Sequence, residues 1–228
     1  MIISSFGCQV NIGNQKSSKF DIISSDINCG IYVLCDGANS TPWGGDAAKI
    51  CASSIVNALS ADRSIGSVTT SRAYANADAL VKKHFNNAAC TSISVKIESV
   101  GIELASCGDS LIEVFKFIPI LGWKKFYQTE PDLLEDHISP SQLIGSEAYD
   151  KPSLYVLPPK GTFAILLMSD GLHQFTSSKV RKKNISKIGG QVPSNEDLTF
   201  LSSGLASEAL RNQSTDDISI GIIWVKFK

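Results

Sequence analysis

The sequence has 228 residues, 43% hydrophobic and 19% charged, a composition that supports one well-packed domain over residues 1–228. The 21 lysines and arginines nearly balance the 22 aspartates and glutamates, and a net charge of −1 argues against nucleic acid or an anionic membrane as a partner. No signal-peptide pattern opens the sequence, and no apolar stretch reaches the roughly 18 residues of a membrane span, so we expect a cytoplasmic protein.

The first part of the chain carries strand signals followed by two helical signals. Apolar and β-branched residues predict strands over residues 2–10, 20–23 and Ile31–Cys35. Apolar residues then recur every four positions in two sets, Ala47, Cys51, Ile55 and Leu59 after Asp46, and Ala73, Ala77, Val81 and Phe85 after about Ser67. This spacing predicts two helices, and Asp46 falls in the first turn, where the helix dipole favours an anion.

From residue 90 onward the hydrophobic period changes from about four to two. Strands are predicted over residues 90–98, 102–107 and 111–117, and their short connections predict antiparallel hairpins. Residues 128–159 contain five prolines and are expected to be mostly irregular, with a possible strand over 154–157. A buried strand over 164–168, a helix over 196–211 and a strand over Ile218–Phe227 follow. Antiparallel blocks with segregated helices favour an α+β fold, with sheets covered by helices, over a doubly wound parallel sheet.

Cysteine and histidine residues offer little catalytic chemistry in this pattern. The cysteines include no C-x-x-C pair and lie mostly in apolar runs; they are Cys8, Cys29, Cys35, Cys51, Cys90 and Cys107. We therefore expect buried, reduced thiols rather than disulfides or a zinc site. Burial is expected to raise the pKa of Cys35 and Cys107, which argues against a thiol nucleophile. The three histidines, His84, His137 and His173, lack the spacing of zinc ligands.

Four predicted strands carry an acidic residue at one end. Asp36-Gly37 follows the run "IYVLC" and Asp170-Gly171 follows "AILLMS", while Asp109 ends "SCGDS" and the pair Asp216 and Asp217 begins the last strand. Any single Asp-Gly pair is most simply a turn, because both residues tolerate positive φ. The strands before Asp36 and Asp170, however, are apolar enough to be central.

Several carboxylates at the end of a core cost several kcal/mol unless a cation neutralises them. Oxygen ligands of this kind suit a hard divalent ion, Mg²⁺ or Mn²⁺. A glycine next to the acid would let a backbone carbonyl or a phosphate group approach that ion. The sequence thus favours a metal site, and an unrelated α+β domain whose Asp-Gly pairs are turns remains the alternative.

The same segments, in the same order, resemble the metal-dependent type 2C protein serine/threonine phosphatases, in particular their compact bacterial members. The matching stretches are "LCDGANSTPWGGDAA", "CTSISV" with "SCGDS", "LLMSDGL" and "TDDISIGII". The resemblance covers nearly the whole chain, from about Gly7 to the last residue. Each motif alone is weak, and the ordered set is fairly specific.

The resemblance implies a four-layer αββα sandwich of two antiparallel sheets flanked by helices, with two or three Mg²⁺ or Mn²⁺ ions. Asp36 would contact both ions of a two-metal centre, the Gly37 carbonyl one of them, and Asp170 and Asp216 the other. Asp36, Asp170 and Asp216 would be the catalytic residues. Asp217 falls on an asparagine position of the family, and Asp216 is therefore preferred as the ligand.

Asp109 would help to hold a third, weaker ion. The implied reaction is hydrolysis of phosphoserine or phosphothreonine in a protein substrate by a metal-activated water. The implied setting is bacterial signalling by a monomeric phosphatase paired with a cognate protein kinase.

Two positions depart from the family pattern. In "NIGNQK", Asn11 stands where the family has a phosphate-binding arginine, and Lys16 stands where it has an aspartate. Asp21 or Asp26 could replace that aspartate through a shifted register. Leu111 likewise replaces an arginine after Gly-Asp-Ser. These departures leave open a second hypothesis, a catalytically weak or inactive relative that serves as a regulatory or binding module.

Overall fold

The computed structural model describes residues 2–11, 20–62, 64–136 and 139–227. Its strands are β1 (Ile2–Asn11), β2 (Ile22–Asp26), β3 (Ile31–Cys35), β4 (Ser92–Glu98), β5 (Gly101–Cys107), β6 (Leu111–Ile118), β7 (Gly122–Gln128), β8 (Ser153–Leu157), β9 (Gly161–Met168) and β10 (Ile218–Phe227). Its helices are α1 (Gly44–Ala61), α2 (Ser67–His84), α3 (Asp170–His173), α4 (Ser178–Ile185) and α5 (Asn195–Arg211), with a 3-10 helix at Ser186–Ile188. None of the helices within these ranges is both long and apolar enough to cross a bilayer.

The chain forms two compact units, each built on one five-stranded antiparallel sheet. The first unit comprises Leu111–Thr129 together with residues 2–11 and 159–227, and its strand order is β1-β10-β9-β6-β7. The second unit comprises Phe20–Ser110 and Glu130–Pro158, with the order β2-β3-β4-β5-β8. Each sheet is covered by helices of its own unit, and the predicted α+β class with two antiparallel sheets is confirmed.

In the second unit, α1 and α2 pack on the sheet through the two sets of apolar residues that the sequence spacing singled out. Ala47, Cys51, Ile55 and Leu59 of α1 and Ala73, Ala77 and Val81 of α2 are all buried. Residues 31, 33 and 35 of β3 pack against them in one apolar cluster. β3 lies between β2 and β4, so the prediction that the strand before Asp36 is internal is confirmed.

In the first unit, β9 is the central strand of the sheet, which confirms the same prediction for the strand before Asp170. α5 packs on β1 and β10, with Leu198, Leu201 and Leu205 buried. The helix begins with a capping box, in which the Ser194 hydroxyl accepts from the Asp197 amide and the Asp197 carboxylate accepts from the Ser194 amide.

Three features of the fold differ from the sequence expectations. β5 and β6 do not form a hairpin, because β5 pairs with β4 and β8 in the second unit while β6 pairs with β7 and β9 in the first. β7 was not predicted, since its sequence GWKKFYQ lacks a regular apolar alternation and it forms the edge of its sheet. α4 was also not predicted, because its sequence SKVRKKNI has only two apolar residues, Val180 and Ile185.

Candidate metal centre

Asp36 follows β3 directly, and backbone hydrogen bonds hold the chain on both sides of its side chain. The Thr91 amide donates to the Asp36 carbonyl at 2.8 Å, and the Gly37 amide donates to the Phe20 carbonyl at 3.3 Å. Asp36 itself is only 8% exposed. The carboxylate is therefore carried on a backbone segment that neighbouring strands fix in place.

Gly37 and Gly44 allow the loop after Asp36 to lie against the first turn of α1. A Cβ atom on Gly37 would be 2.5 Å from the backbone of Gly44, and one on Gly44 would be 2.4 Å from the Ala38 carbonyl oxygen. Real side-chain carbons do not approach so closely, so both positions require glycine. Because Gly37 has no side chain, its backbone can lie directly against the backbone of Gly44. Asp46, in the same first turn, is exposed at the surface.

Asp109 is held in the same unit through Thr91. The Thr91 and Ser110 hydroxyl oxygens are 2.7 Å apart. Gly108 adopts a φ of +94°, and a Cβ there would lie 2.8 Å from a side-chain carbon of Thr91. Because Thr91 also donates to Asp36, one threonine joins the segments that carry Asp36 and Asp109.

A further acid, Asp132, supports this turn from the irregular segment. Its carboxylate accepts from the Gly108 amide at 3.0 Å, and its own amide donates to the Gly108 carbonyl at 2.9 Å. Neither Thr91 nor Asp132 was predicted from the sequence. Thr91 could have been noticed because it is a polar residue at the start of the predicted strand over residues 90–98, whereas nothing in the sequence around Asp132 distinguishes it.

In the first unit, the Asp170-Gly171 turn lies against the segment that carries Asp216 and Asp217. A Cβ on Gly171 would be 2.1 Å from the Asp217 carbonyl oxygen and 3.3 Å from the Asp216 Cβ. The Ser169 amide donates to the Ser219 carbonyl at 3.1 Å, and the Ser219 amide returns a hydrogen bond to the Ser169 hydroxyl at 2.9 Å.

Burial separates the two acids at the start of β10. Asp217 has no exposed surface, while Asp216 is half-buried and its Oδ1 accepts from the Asp217 amide at 2.6 Å. The Ser214 hydroxyl donates to the Gly171 carbonyl at 2.8 Å, which ties this loop to the Asp-Gly pair. Asp216 is thus the more exposed acid of the two.

Neither Asp-Gly pair forms a hairpin corner. Asp36-Gly37 leads from β3 towards α1, and Asp170-Gly171 is the first turn of α3. The simplest alternative for these pairs, a two-residue turn joining paired strands, is therefore wrong. Oxygen donors near the ends of internal strands fit a hard divalent cation by their chemistry.

Comparison of the whole structure with solved structures identifies the architecture. The catalytic domain of the serine/threonine protein phosphatase PstP, solved in complex with two manganese ions, superimposes with a TM-score of 0.79 at 15% identity, covering 99% of this chain and 100% of that chain. The chain has the fold of the bacterial serine/threonine phosphatases. No protein-family model matches the sequence, and no curated protein matches it significantly.

Two further phosphatase-fold structures agree with this result. The serine/threonine phosphatase of S. agalactiae gives a TM-score of 0.78 at 16% identity, covering 99% of this chain and 100% of that chain. PppA of Pseudomonas aeruginosa, a regulatory component of T6SS, gives 0.77 at 12% identity, with 96% of each chain covered. The fold implied by the sequence resemblance is confirmed.

The departures from the phosphatase pattern fall at β1, in the segment after it and at the start of β6. Asn11 pairs with Ile218 in the β1–β10 ladder, and its side chain is outside the description. Lys16 and His137 lie outside the described residues. Leu111 begins β6 and is buried in the core of the first unit.

Strand register separates the two acids that could replace the missing aspartate. Ile22 pairs with Cys35, which places Asp21 at the same end of the β2–β3 pair as Asp36. Asp26 pairs with Ile31 at the opposite end, where hydrogen bonds from the Cys29 and Ser60 side chains lower the pKa of its carboxyl. Asp21 is 2% exposed. Only Asp21 is therefore in position to act near Asp36.

The cysteines are free, as expected, with four buried and two half-buried. Burial raises the pKa of the Cys107 thiol, which confirms that prediction. At Cys35 burial also opposes ionisation, but hydrogen bonds with the Cys51, Cys90 and Ser92 side chains lower the pKa of its thiol. The expectation of a raised pKa is thus wrong for Cys35. Its complete burial still keeps its sulfur away from any substrate.

Proposed function

We propose that this protein is a metal-dependent phosphatase acting on phosphoserine or phosphothreonine in proteins. The observation that carries the proposal is the support built around the acids on the phosphatase fold. The Asp170-Gly171 turn is tied to Asp216, and Thr91 joins the segments of Asp36 and Asp109. A fold kept only as a scaffold would not need glycines at Gly37 and Gly171 for these close approaches.

In this proposal Mg²⁺ or Mn²⁺ ions, two or three in number, are held by Asp36, the Gly37 carbonyl, Asp109, Asp170 and Asp216. When bound, such ions acidify water and offset the charge of a phosphate group. The chain contributes a rigid donor set, because hydrogen bonds fix the backbone at each acid. The PstP structure with two manganese ions supports this ion type.

Asp21 supplies the acid that the sequence lacks at Lys16. The support is the register of β2 and β3, which places Asp21 next to the Asp36 end of the sheet, and its near-complete burial. Its role is to accept a hydrogen bond and orient water beside the ions. Asp21→Asn is expected to lower kcat at least tenfold at saturating Mn²⁺, whereas Asp26→Asn, at the other end of the same strand, leaves kcat unchanged.

The substrate is a phosphorylated protein whose cognate kinase acts in the same signalling system, and the phosphatase acts in the cytoplasm as a monomer. A second candidate is a regulatory module that binds metal without turnover. It is favoured by Asn11 at the position where the family has a phosphate-binding arginine, because asparagine cannot make the bidentate, charged contact.

Hydrolysis of p-nitrophenyl phosphate and of a phosphothreonine peptide, with Mn²⁺, Mg²⁺ or EDTA, tests the proposal. Turnover is expected with metal and absent with EDTA. Asp36→Asn should abolish it, and Asp46→Asn, which changes an exposed acid in the first turn of α1, should not. Absence of turnover with retained Mn²⁺ binding by calorimetry would favour the regulatory module. Turnover that survives in Asp36→Asn would refute the metal assignment.

A further inference from the structure

Three cysteine side chains from separate elements converge inside the second unit. The Sγ atoms of Cys35, Cys51 and Cys90 lie within 4.8 Å of one another, and all three residues are fully buried. Cys35 ends β3, Cys51 lies in α1, and Cys90 precedes β4. The cysteines are free thiols, so the convergence is not a disulfide.

Hydrophobic packing explains why each thiol is buried. It does not explain why three sulfur atoms lie so close to one another. The surrounding core is made of small and aliphatic residues, among them Ala47 and Ala48, with which three more aliphatic side chains would pack equally well. One polar group does reach the cluster, since the Cys35 Sγ lies 3.4 Å from the Ser92 hydroxyl. Ser92 is in turn 3.5 Å from the Tyr74 hydroxyl, which donates to Ser94 at 3.0 Å.

The dimensions suit a thiophilic metal ion. Three sulfurs bound to one tetrahedral ion at about 2.3 Å lie about 3.8 Å apart, so the cluster needs a contraction of at most about 1 Å. The Ser92 oxygen offers a fourth donor next to Cys35. Sulfur ligands select soft or borderline ions and discriminate against Mg²⁺, in contrast to the carboxylates of the candidate metal centre.

We propose that Cys35, Cys51 and Cys90 form a second metal site, separate from the carboxylate donors, for a thiophilic divalent ion of the Zn²⁺ and Cd²⁺ class. Each sulfur that binds loses its proton to solvent as the metal–sulfur bond forms, and Ser92 binds as a neutral hydroxyl. A divalent ion offsets two of the three thiolate charges in this apolar core.

Occupation of this site alters the backbone around Asp36. Cys35 precedes Asp36 directly, and Cys90 forms an isolated antiparallel bridge with Gly37. The residue after Cys90, Thr91, donates its amide to the Asp36 carbonyl. Contraction of the sulfur cluster therefore moves the chain on both sides of Asp36. This step is measured on the amides themselves and needs no enzymatic turnover.

The test uses the reduced, metal-free full chain in saturating Mg²⁺, titrated with Cd²⁺ and followed by the sulfur-to-cadmium charge-transfer absorption. One equivalent of Cd²⁺ should saturate the band in the wild type, and Zn²⁺ should compete it away. The band should persist in Asp170→Asn and in Cys107→Ser, a buried cysteine outside the cluster. The absorption band should be lost in Cys51→Ser. Cys90→Ala, in which the band should also be lost, is the second variant if Cys51→Ser does not fold.

Amide NMR shifts provide the second readout. The amide resonances of Gly37 and Thr91 should shift when Cd²⁺ is added to the wild type. They should not change when Cd²⁺ is added to Cys51→Ser or Cys90→Ala. No saturating band in the wild type, or an equal band in both cluster variants, would overturn the site. A saturating band without shifts at Gly37 and Thr91 would overturn the connection to Asp36.

Discussion

A side-chain carbon on Gly171 would lie 2.1 Å from the backbone oxygen of Asp217, so the turn after Asp170 touches the loop that carries Asp216. The glycine is what allows two acid-bearing segments from distant parts of the sequence to be in contact. Two serines reinforce this contact, because Ser214 donates to the Gly171 carbonyl and Ser169 accepts from the Ser219 amide.

Gly171→Ala should separate these two loops. We expect loss of metal-dependent turnover and a decrease of about 1–3 kcal/mol in the free energy of unfolding, because the added carbon has no space. Urea unfolding and phosphatase assays measure the two effects. Gly204→Ala in α5 is the matched control, since the nearest atom outside its own stretch of helix, Asn184 Oδ1, is 4.0 Å from its Cβ and a helical alanine should stabilise by up to about 1 kcal/mol. Normal activity in Gly171→Ala would contradict this role for the contact.

Replacement of Asp170 by asparagine should separate metal binding from folding. Without metal, the variant is expected to be at least as stable as the wild type, because the repulsion between Asp170 and Asp216 is relieved. With Mn²⁺ at about a hundred times its Kd, the wild type should gain about 2.7 kcal/mol and the variant much less. Thermal unfolding with and without Mn²⁺ measures this difference. An equal gain in stability from Mn²⁺ in both proteins would argue against Asp170 as a ligand.

Arg181→Ala should destabilise the first unit by about 3–5 kcal/mol, because it leaves Glu113 charged and buried without this partner. Arg181 Nε donates to Glu113 Oε2 at 2.6 Å, and both side chains are almost completely buried. Arg211→Ala, in an exposed pair with Glu208, should change stability by less than about 1 kcal/mol. Urea unfolding compares the variants, and similar losses in the two would show that burial does not set the strength of the Arg181 pair.

The free energy of unfolding should decrease at acidic pH, in part because the capping box of α5 is lost. Hydrogen bonds from the Ser194 amide and hydroxyl lower the pKa of the Asp197 carboxyl from its ordinary value of 3.8. A carboxyl with a lowered folded-state pKa stabilises the protein above its unfolded pKa, and this contribution disappears as the pH falls through the folded-state value.

Ser194→Ala should cost about 1 kcal/mol at neutral pH and reduce the loss seen on acidification. Urea midpoints at neutral pH and below 3.8 measure this difference, with Ser207→Ala on the exposed face of the same helix as the control. An unchanged acid response in Ser194→Ala would show that the capping box does not set the Asp197 pKa.

Several elements of the fold could be predicted because their evidence is local in the sequence. The every-fourth-residue pattern in α1 and the apolar run of β3 reflect burial along a single element, and both were found where predicted. The Asp-Gly pairs that end β3 and β9 were recognised for the same reason, since an acid after an internal strand is visible in a short window.

Other elements carry no local signal because their stability comes from partners distant in the sequence. β7 needs no apolar alternation, since it is an edge strand with one neighbour, β6. α4 has only two apolar residues, Val180 and Ile185, and its Arg181 is buried in an ion pair with Glu113 on β6. The short link after β5 resembled a hairpin, yet β6 joins the other sheet, where β9 and β7 complete its hydrogen bonds.

The sequence by itself determined which residue types are available: acids beside glycines at strand ends, and reduced thiols in apolar runs. Only the tertiary structure decided which of them meet. Strand register set Asp21 rather than Asp26 near Asp36, and packing of α1 on β3 brought Cys35, Cys51 and Cys90 together. These contacts depend on strand register and on packing between segments that are far apart in the chain. No single segment of the sequence encodes them.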